Sequence, residues 1–443
     1  MDYKTAIKFI SEIPWTKRAK GLGRMERLLD LLGNPQDMLR FVHIAGTNGK
    51  GSTAAMLASI FKAAGMKTGL FTSPHLIKYN ERIKIDGEDI SNDNLAEIIT
   101  IIETKTAQME ETPTEFEILT AAGFIWFAKN NCDIVVLEVG LGGEFDSTNV
   151  IGSKELAIIT AIGFDHTAIL GDSIEEIAEA KAGIISDFSD VILYRQGEKV
   201  TSVIRERCEE KHARLHIPDT DSLELLESNT AYQCFKTNYL EYPTVLTLTG
   251  RYQLQNALVV LEACRVLRER GINISDKAIL QGLKTVKWAS RFELLSDNPK
   301  FILDGAHNDH GISAVVDSLT DLFPDKKIIY ILGVLSDKNV DKMLDKLYTN
   351  AECFITLTPE SERALTADLL AEKIKAAGFD AWNYINIEEA VKAAFKMAGE
   401  DKIICSLGSL YLAGPVKAAV QAVHGSPEQQ PEEQQTEEQQ PEE

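Results

Sequence analysis

A short apolar segment that runs directly into a glycine-rich turn is the feature that most restricts the fold of this chain. Residues Phe41–Ala45 predict a buried strand, and residues 46–52 read Gly-Thr-Asn-Gly-Lys-Gly-Ser. The small and apolar residues from Ser52 onward favour a helix. Small residues let backbone N–H groups approach a phosphate, the helix dipole favours negative charge, and Lys50 adds a cation. The segment therefore predicts a phosphate-binding loop between a strand and a helix.

The spacing within this loop differs from the common P-loop pattern. In G-x-x-x-x-G-K-[ST] the hydroxyl residue directly follows the lysine, whereas here Gly51 separates Lys50 from Ser52. A glycine-rich turn alone is a frequent coincidence. The lysine and the strand–helix context make phosphate binding the preferred interpretation.

Short β-branched runs alternate with helical stretches along the chain, which indicates an α/β fold with a mostly parallel sheet. The first candidate strands are Phe41–Ala45, Thr68–Phe71, Asp133–Val139, Ala157–Ile162 and Asp190–Tyr194. Residues 205–248 are more irregular and predict shorter β elements, whereas Arg251–Arg270 has the apolar spacing of a helix. The alternation then restarts, with candidate strands at Phe301–Leu303, Lys327–Leu332, Cys353–Leu357 and Ile403–Ser406.

These patterns predict three regions. Residues 1–288 should form a P-loop-containing, mostly parallel sheet domain, and residues 292–424 a second, smaller Rossmann-like α/β domain. Residues 425–443 contain seven glutamates and no lysine or arginine, and predict a disordered acidic tail. A solubilising role is favoured for this tail, and a partner-binding extension is the alternative.

The charge and the cysteines exclude some classes of protein. The 443 residues carry a formal net charge of −21, which argues against broad binding to nucleic acid or to an anionic membrane. No apolar run approaches the roughly 20 residues of a membrane span, and the start lacks a signal-peptide pattern. The six cysteines are scattered without a C-x-x-C pair, which favours reduced structural thiols. We expect a cytoplasmic protein.

Polar side chains follow three of the predicted strands at their carboxyl ends. Ser73 follows one strand, Glu138 ends another, and His166 follows a third. Open α/β sheets bind ligands at this edge, and a carboxylate with hydroxyl groups suits Mg²⁺. Histidine is a less usual magnesium ligand, so a hydrogen-bonded loop histidine is the alternative for His166.

Three further segments have competing interpretations. Lys181, taken alone, is typical of a surface lysine whose alkyl stem packs on apolar neighbours. Residues 140–143 read Gly-Leu-Gly-Gly but lack the third glycine of a dinucleotide fingerprint. Asp304 and His307 follow a strand of the second domain and could contact a ligand between domains, although an Asp-Gly sequence is more often only a turn.

Together, the motifs resemble bacterial folylpolyglutamate synthase, often bifunctional with dihydrofolate synthase, within the Mur ligase superfamily. The resemblance covers about residues 1–424. It is carried, in order, by residues 46–52 (GTNGKGS), 72–76 (TSPHL), 80–83 (NERI), 137–143 (LEVGLGG), 146–149 (DSTN), 165–167 (DHT), 181–184 (KAGI) and 304–308 (DGAHN).

The resemblance implies an ATP-dependent ligase that adds L-glutamate to a folate, and in bifunctional members also to dihydropteroate, through an acyl phosphate. ATP and Mg²⁺ are the implied cofactors, with a monovalent cation such as K⁺ as a candidate addition. The implied ATP-binding residues are Thr47, Asn48, Gly49, Lys50, Gly51, Ser52, Asn256, Arg291 and Asp304. The implied metal ligands are Ser52, Ser73, Glu138 and His166. We expect a monomer that binds neither nucleic acid nor membrane.

The resemblance also implies catalytic and substrate-binding residues. Lys50, Lys181 and His307 take catalytic roles, with Lys181 matching a family lysine that CO₂ converts to a carbamate. The implied residues for the pterin-bearing substrate are Arg82, Phe116, Asp146 and Ser147. Two departures from the family pattern are Glu144, where many members carry arginine, and Ala289, where a proline is common.

Two alternative functions remain to be weighed. A Mur-type ligase acting on cell-wall precursors would share the phosphate loop, but residues 73–85 and 146–149 match the folate branch. A non-catalytic nucleotide-binding switch is disfavoured because Lys50, Glu138, His166 and Lys181 are all present.

Overall fold

The computed structural model describes residues 1–13, 21–399 and 401–424. The predicted disordered tail, residues 425–443, lies outside the described residues. The α/β class predicted from the sequence is confirmed, with two large sheets joined near residue 288. We call residues up to 288 the N-terminal unit and residues from 292 the C-terminal unit. These divisions follow the predicted domain boundaries, which stay a prediction.

The N-terminal unit is built on an eight-stranded sheet in the order β4-β3-β2-β5-β1-β6-β7-β8. Its strands are β1 (Phe41–Ala45), β2 (Thr68–Phe71), β3 (Ile83–Ile85), β4 (Glu88–Asp89), β5 (Ile134–Glu138), β6 (Leu156–Ile159), β7 (Asp190–Leu193) and β8 (Arg214–His216). The parallel strands are β2, β5, β1, β6, β7 and β8, and β3 and β4 extend one edge in antiparallel pairing. Strand β1 is central and buried, as its apolar sequence predicts.

Helices cover both faces of this sheet. They are α1 (Tyr3–Ser11), α2 (Gly23–Leu32), α3 (Lys50–Ala63), α4 (Asn92–Thr106), α5 (Glu115–Lys129), α6 (Thr167–Leu170), α7 (Ile174–Ala182), α8 (Glu198–Glu210), α9 (Arg251–Glu269) and α10 (Asp276–Thr285). Short 3-10 helices lie at Pro35–Met38, Tyr79–Arg82 and Ser147–Val150. Helices α3, α9 and α10 share one apolar core with the sheet, and α1, α2, α4 and α5 share another on the opposite face.

The stretch predicted to be irregular is a helix followed by strands. Helix α8 extends to Glu210, so residues 205–210 are helical rather than irregular, with Val200, Ile204 and Cys208 buried. Strands β9 (Glu224–Ser228), β10 (Gln233–Thr237) and β11 (Leu240–Leu246) then form a small antiparallel sheet. The short β elements predicted for this stretch are therefore confirmed.

The C-terminal unit is a six-stranded sheet in the order β12-β13-β17-β14-β15-β16. Its strands are β12 (Glu293–Asp297), β13 (Lys300–Leu303), β14 (Ile328–Leu332), β15 (Ala351–Thr356), β16 (Ala381–Asn383) and β17 (Ile403–Leu407). Its helices are α11 (Asp309–Leu322), α12 (Val340–Leu347), α13 (Ala367–Ala376), α14 (Ile387–Ala398) and α15 (Leu410–His424). Only β12 is antiparallel to its neighbour, and an apolar core lies on each face.

All six cysteines are free, and five of them are buried. Cys264 lies in a core of the N-terminal unit and Cys405 in a core of the C-terminal unit. These positions agree with reduced, structural thiols. Within the described residues, no helix combines the length and the apolar character needed to cross a membrane.

Candidate active site

The predicted phosphate-binding loop is a tight turn between β1 and α3. Gly46 has a φ of +149° and Gly49, the N-cap of α3, a φ of +88°. A Cβ atom on Gly49 would lie 2.5 Å from the Asn256 side-chain oxygen, so no other residue fits there without movement. The backbone N–H groups of Thr47 and Asn48 both donate to the Ala161 carbonyl, at 2.9 and 3.1 Å. Glycine is thus required both by the backbone angle and by close packing.

Two lysine side chains converge on this loop. Lys50 Nζ donates to the carbonyl oxygens of Gly46 and Thr47, at 3.2 and 3.1 Å. Lys181 Nζ donates to the same Gly46 carbonyl at 2.8 Å. Lys181 is only 3% exposed, so the interpretation as a surface lysine is wrong. Burial, with the nearby Lys50 charge, lowers the pKa of Lys181 to about 7.

Helix α9 lies against the start of α3 and completes this side of the loop. Gln253 Nε2 donates to Ser52 Oγ at 3.1 Å, and Asn256 Nδ2 donates to Gln253 Oε1 at 3.0 Å. All three residues are buried. The predicted ATP residues Ser52 and Asn256 are therefore linked through Gln253, which the sequence reasoning did not single out.

Glu138 and Ser73 meet at the carboxyl edge of the sheet. The Ser73 backbone N–H donates to Glu138 Oε2 at 3.0 Å, and Glu138 is 4% exposed. Burial raises the pKa of Glu138, while the Lys50 charge and the Ser73 N–H act in the opposite direction. A buried carboxylate with so little compensation favours a nearby cation.

His166 stands at the start of the short helix α6 with a φ of +50°. Burial lowers the pKa of His166 to about 4, so the imidazole is neutral at physiological pH and a ring nitrogen can coordinate a metal. Among the residues that the structure describes, no three His, Cys, Asp or Glu side chains are grouped closely enough to hold a metal ion. A magnesium ion here would depend on serine, phosphate and water oxygens as well as on Glu138 and His166.

The C-terminal unit contributes a second set of polar groups. Asp304, at the end of β13, accepts hydrogen bonds from Tyr252 Oη (2.7 Å) and from the backbone N–H groups of Phe292 (2.8 Å) and Ala306 (2.7 Å). Burial raises the pKa of Asp304, and the Arg291 charge opposes this shift. Asp304 therefore connects helix α9 of the first unit with the start of the second.

Asp165, which precedes His166, contacts three residues of the C-terminal unit. Asn308 Nδ2 donates to Asp165 Oδ2 at 3.1 Å, His307 Nε2 lies 3.5 Å from the same oxygen, and Lys338 Nζ is ion-paired with Oδ1. Burial acts to raise the pKa of Asp165, but His307, His166 and Lys338 outweigh it and hold that pKa well below its usual range.

A reciprocal amide pair joins the C-terminal unit to the phosphate loop itself. Asn48 Nδ2 donates to Asn308 Oδ1, and Asn308 Nδ2 donates to Asn48 Oδ1, both at 3.1 Å. Asn308 also caps helix α11, where its Oδ1 accepts from the Gly311 N–H at 2.8 Å. The position of the loop is thus coupled to the position of α11.

The predicted substrate residues occupy the other side of the sheet edge. Arg82 is buried, with its Nε 2.9 Å from His75 Nδ1 and its guanidinium 3.5 Å from a Glu115 oxygen. The Phe116 ring packs so closely on Gly140 that a Cβ atom there would lie 2.5 Å from the ring. Asp146 is buried and caps the 3-10 helix that Ser147 begins.

The structure brings most of the predicted residues together. Lys50, Lys181 and Ser52 lie on the phosphate loop and its surroundings, Ser73 and Glu138 contact each other, and His307 reaches the first unit. Within the N-terminal unit, Arg82 contacts His75 and the Phe116 ring packs against Phe71. Sequence reasoning did not identify Lys338, whose only signal is an ordinary Asp-Lys pair after β14.

Comparison with known proteins gives a consistent result. Residues 44–264 match the Mur ligase middle domain, and residues 290–410 match the Mur ligase glutamate ligase domain. The dihydrofolate synthase/folylpolyglutamate synthase of Bacillus subtilis is 35% identical over 409 residues, which cover 90% of this chain and 94% of that protein. The folylpolyglutamate synthase of Lacticaseibacillus casei is 31% identical over 94% of this chain and 98% of its own length.

Solved structures show the same fold. The Mycobacterium tuberculosis folylpolyglutamate synthase, complexed with ADP and AMPPCP, has a TM-score of 0.84 and 31% identity over 95% of this chain and 99% of its own. Escherichia coli FolC in complex with DHPP and ADP has a TM-score of 0.85 and 27% identity over 96% of this chain and 98% of its own. The chain therefore belongs to the folylpolyglutamate synthase/dihydrofolate synthase family of Mur ligases.

Proposed function

We propose that this chain is an ATP-dependent ligase that joins L-glutamate to a folate, and also to dihydropteroate, through an acyl-phosphate intermediate. The observation that carries the proposal is the convergence of Lys50 and Lys181 on the Gly46 carbonyl. It places two lysine side chains at a phosphate loop that lies beside a buried carboxylate, Glu138. Family membership supports the same chemistry.

ATP would lie between the two units with its phosphates on residues 46–52. The N–H groups at the start of α3 and the Lys50 ammonium stabilise negative charge on the transferred phosphoryl group. Asn256, Arg291 and Asp304 surround the place where the second unit meets α9, and they would hold the remainder of the nucleotide. The buried hydrogen bonds of Asp304 keep it in one orientation for that contact.

Ser52, Ser73, Glu138 and His166 would hold Mg²⁺, with K⁺ as an additional candidate ion. Magnesium would supply charge neutralisation at the phosphate oxygens. Glu138 fits this role because it is buried and accepts only the Ser73 N–H among the hydrogen bonds of the described residues. A carbamate on Lys181 would add a further anionic group, and the lowered pKa of this lysine supplies the neutral amine that such a reaction needs.

The reaction needs no protein nucleophile. A substrate carboxylate attacks the γ-phosphorus of ATP, ADP leaves, and the glutamate amino group then displaces phosphate from the acyl phosphate and loses a proton. The protein orients these groups and excludes water from a labile intermediate. His307 is placed beside Asp165 at the junction of the two units, where it would face the incoming glutamate or the transferred phosphate.

The pterin-bearing substrate would lie along Arg82, Phe116, Asp146 and Ser147. Arg82 offers a cation for a carboxylate, and the Phe116 ring offers an apolar face for an aromatic ring. Because Glu144 replaces the arginine common in the family, the charge of this wall is more negative than in those relatives.

We further propose that the chain acts as a cytoplasmic monomer. Sedimentation of the purified protein would test whether it is a monomer.

The proposed function is tested by glutamate ligation with purified protein, ATP and Mg²⁺. Tetrahydrofolate and dihydropteroate are supplied separately, and both ADP and the glutamylated product are measured. Product from both substrates is expected, and product from only one would restrict the activity to that substrate. ADP release that neither pterin nor glutamate stimulates would contradict the proposal and favour a nucleotide-binding switch. Stimulation by a cell-wall precursor instead would favour the other branch of Mur ligases.

A further inference from the structure

A buried histidine stands in the strand that leads to the phosphate loop. His43 lies at the middle of β1, and its neighbours Val42 and Ile44 belong to an apolar core. The His43 side chain is completely buried, and its Nε2 lies 2.8 Å from Thr148 Oγ1. A leucine or valine would fill this strand position without the free-energy cost of burying a polar ring. The hydrogen bond to Thr148 therefore needs a reason beyond packing.

Thr148 also contacts a predicted substrate residue, Asp146. Its hydroxyl oxygen lies 2.6 Å from Asp146 Oδ1, and its backbone N–H donates to the same oxygen at 3.1 Å. The Leu141 N–H donates to Asp146 Oδ2 at 2.8 Å. Thr148 is fully buried and Asp146 is 6% exposed. We call His43, Thr148 and Asp146 the His43 chain.

The direction of the hydrogen bonds in the His43 chain follows from counting protons. Burial raises the pKa of Asp146, but the backbone N–H groups that both of its oxygens accept, together with the Thr148 hydroxyl, oppose this shift and favour the ionised carboxylate. An ionised carboxylate can only accept, so the single hydroxyl proton of Thr148 points to Asp146. The Thr148 oxygen must then accept from His43, which requires a proton on Nε2. His43 is thus a neutral imidazole in its Nε2–H form.

The other ring nitrogen supports this assignment. Among the described residues, His43 Nδ1 is buried and has no hydrogen-bond partner. In the Nε2–H form it is an unprotonated acceptor. In the opposite form a buried N–H donor would be left unpaired. Burial, with the Lys154 charge, lowers the pKa of His43 well below its usual value, in agreement with a neutral ring.

We propose that His43 is a positioning residue that, through Thr148, fixes Asp146 as an oriented acceptor for N–H groups on the pterin ring of the substrate. This inference rests on the proposed function, in which Asp146 and Ser147 contact that ring. Asp146 caps the 3-10 helix that Ser147 begins, so rotation of its carboxylate would remove the hydrogen bond from the Thr148 N–H that holds the start of this helix. A fixed acceptor favours a ring that presents N–H donors over one that presents lone pairs at the same place.

The inference is tested first by steady-state kinetics on paired variants. His43→Phe removes the hydrogen bond between His43 and Thr148, and Thr148→Val removes both hydrogen bonds of the Thr148 hydroxyl at nearly constant volume. We expect KM for the pterin substrate to rise about tenfold in each, with kcat and KM for ATP changed less than about twofold. His43→Gln and Thr148→Ser keep a donor and a hydroxyl, and should recover most of the lost affinity. Thr356→Val, at a buried threonine of the C-terminal unit, is the control for loss of a buried hydroxyl.

The double variant tests whether His43 and Thr148 act through one shared hydroxyl or through two independent contacts. His43→Phe with Thr148→Val should raise KM no more than the larger single change, because both act through one oriented hydroxyl. Multiplied effects would overturn the inference. Equal rises in KM for ATP and for the pterin would also overturn it, because they would indicate general disturbance of β1 and the phosphate loop.

A spectroscopic measurement keeps the test independent of activity. Two-bond ¹H–¹⁵N correlations on histidine-labelled protein report the tautomer of each of the eight histidines, and His43→Gln assigns the His43 signal. A neutral Nε2–H ring is expected near pH 7, and a charged ring or the Nδ1–H form would overturn the inference. Absence of glutamate ligation in the unaltered protein, with the Nε2–H ring present, would instead contradict the proposed function and the substrate role of His43 with it.

Discussion

Lys50 and Lys181 donate to one carbonyl oxygen, that of Gly46, although they come from helices on different parts of the chain. Two ammonium groups so close together repel each other, and the buried Lys181 has the larger share of the cost because water cannot screen it. Burial, and to a smaller extent the Lys50 charge, lowers the pKa of Lys181 to about 7. The phosphate loop therefore adjoins an amine that is neutral in an appreciable fraction of molecules at physiological pH.

Carbamylation of Lys181 is the first consequence to test. Only a neutral amine reacts with CO₂, and a pKa about 7 makes about half of the Lys181 amine neutral at pH 7. We expect activity to fall after CO₂ is removed and to return with bicarbonate, and ¹³C-bicarbonate to give a carbamate signal that is lost in Lys181→Arg. Small carboxylates should partly rescue Lys181→Ala. Full activity without CO₂, together with no rescue, would contradict the carbamate.

The stability of the unmodified protein should depend on the same group. In the unfolded chain Lys181 has its ordinary pKa of 10.5, and in the folded chain a pKa of about 7. The unfolded state then binds more protons between these values, so Lys181 lowers stability at pH 7 and the loss disappears as the pH rises toward 10.5. Lys181→Met should raise Tm at pH 7 under CO₂-free conditions, and this gain should shrink at pH 10. A lower Tm at pH 7 would argue against a buried ammonium whose charge lowers stability.

Lys50 should be required for chemistry and not for folding. Lys50→Ala removes the cation at the phosphate loop and should lower kcat by about 10²- to 10³-fold, as for loss of one charge-stabilising donor. Lys62→Ala, on the exposed side of the same helix, is the matched control and should retain normal kcat. Circular dichroism checks the fold of both. A kcat within about threefold of normal in Lys50→Ala would contradict the phosphate role.

Two glycines at opposite ends of α3 allow the effect of a positive φ to be measured separately from the effect of a steric clash. Gly49 and Gly65 have φ values of +88° and +85°, but only a Cβ on Gly49 would meet a neighbour, the Asn256 side chain. Alanine at either position should cost about 1 kcal/mol of stability through its positive φ. Only Gly49→Ala should also weaken ATP binding, measured by calorimetry. Equal ATP affinity in both variants would show that the close approach to Asn256 does not matter.

The contact of Asp165 with Lys338 should control closure of the C-terminal unit. Both side chains are 7% exposed, so Lys338→Met leaves a buried carboxylate with less compensation and should cost about 3–5 kcal/mol in the closed arrangement. We expect a lower kcat and a larger radius of gyration by X-ray scattering. Lys373→Ala removes the exposed ion pair with Asp341 and serves as the control, with an expected change below about 1 kcal/mol. Unchanged scattering and kcat in Lys338→Met would rule out this role.

The sequence predicts best where local patterns are strong. The bounds of β1 and β2 match the predicted strands because each is a short apolar run beside a glycine or a serine loop. Strands β3 and β4 do not follow from the sequence pattern, since they have three and two residues and depend on pairing, β3 with the edge of β2 and β4 with β3. The start of α8 was missed because the helix carries many charged residues and buries only a narrow face.

Local motifs likewise predict some residues of the candidate site and not others. The phosphate loop and Glu138 follow from local motifs, whereas the role of Lys181 came only from family resemblance, because its burial depends on the whole N-terminal unit. The Asn48–Asn308 and Asp165–Lys338 contacts join residues 260 and 173 positions apart. Local sequence patterns do not determine how two sheets from different parts of the chain pack against each other. The sequence predicts an apolar strand at Phe41–Ala45, and His43, the single polar residue in it, is the signal for the additional contact.

The buried thiols have a practical consequence. Burial raises the pKa of Cys264 to about 12 and that of Cys405 well above its ordinary value, so neither offers a reactive thiolate while its core stays closed. One lies in each unit. Timed alkylation with peptide mapping would therefore record the opening of the two halves separately within one unlabelled, unmutated molecule. It would show whether nucleotide protects both halves from unfolding or only the half that contains the phosphate loop.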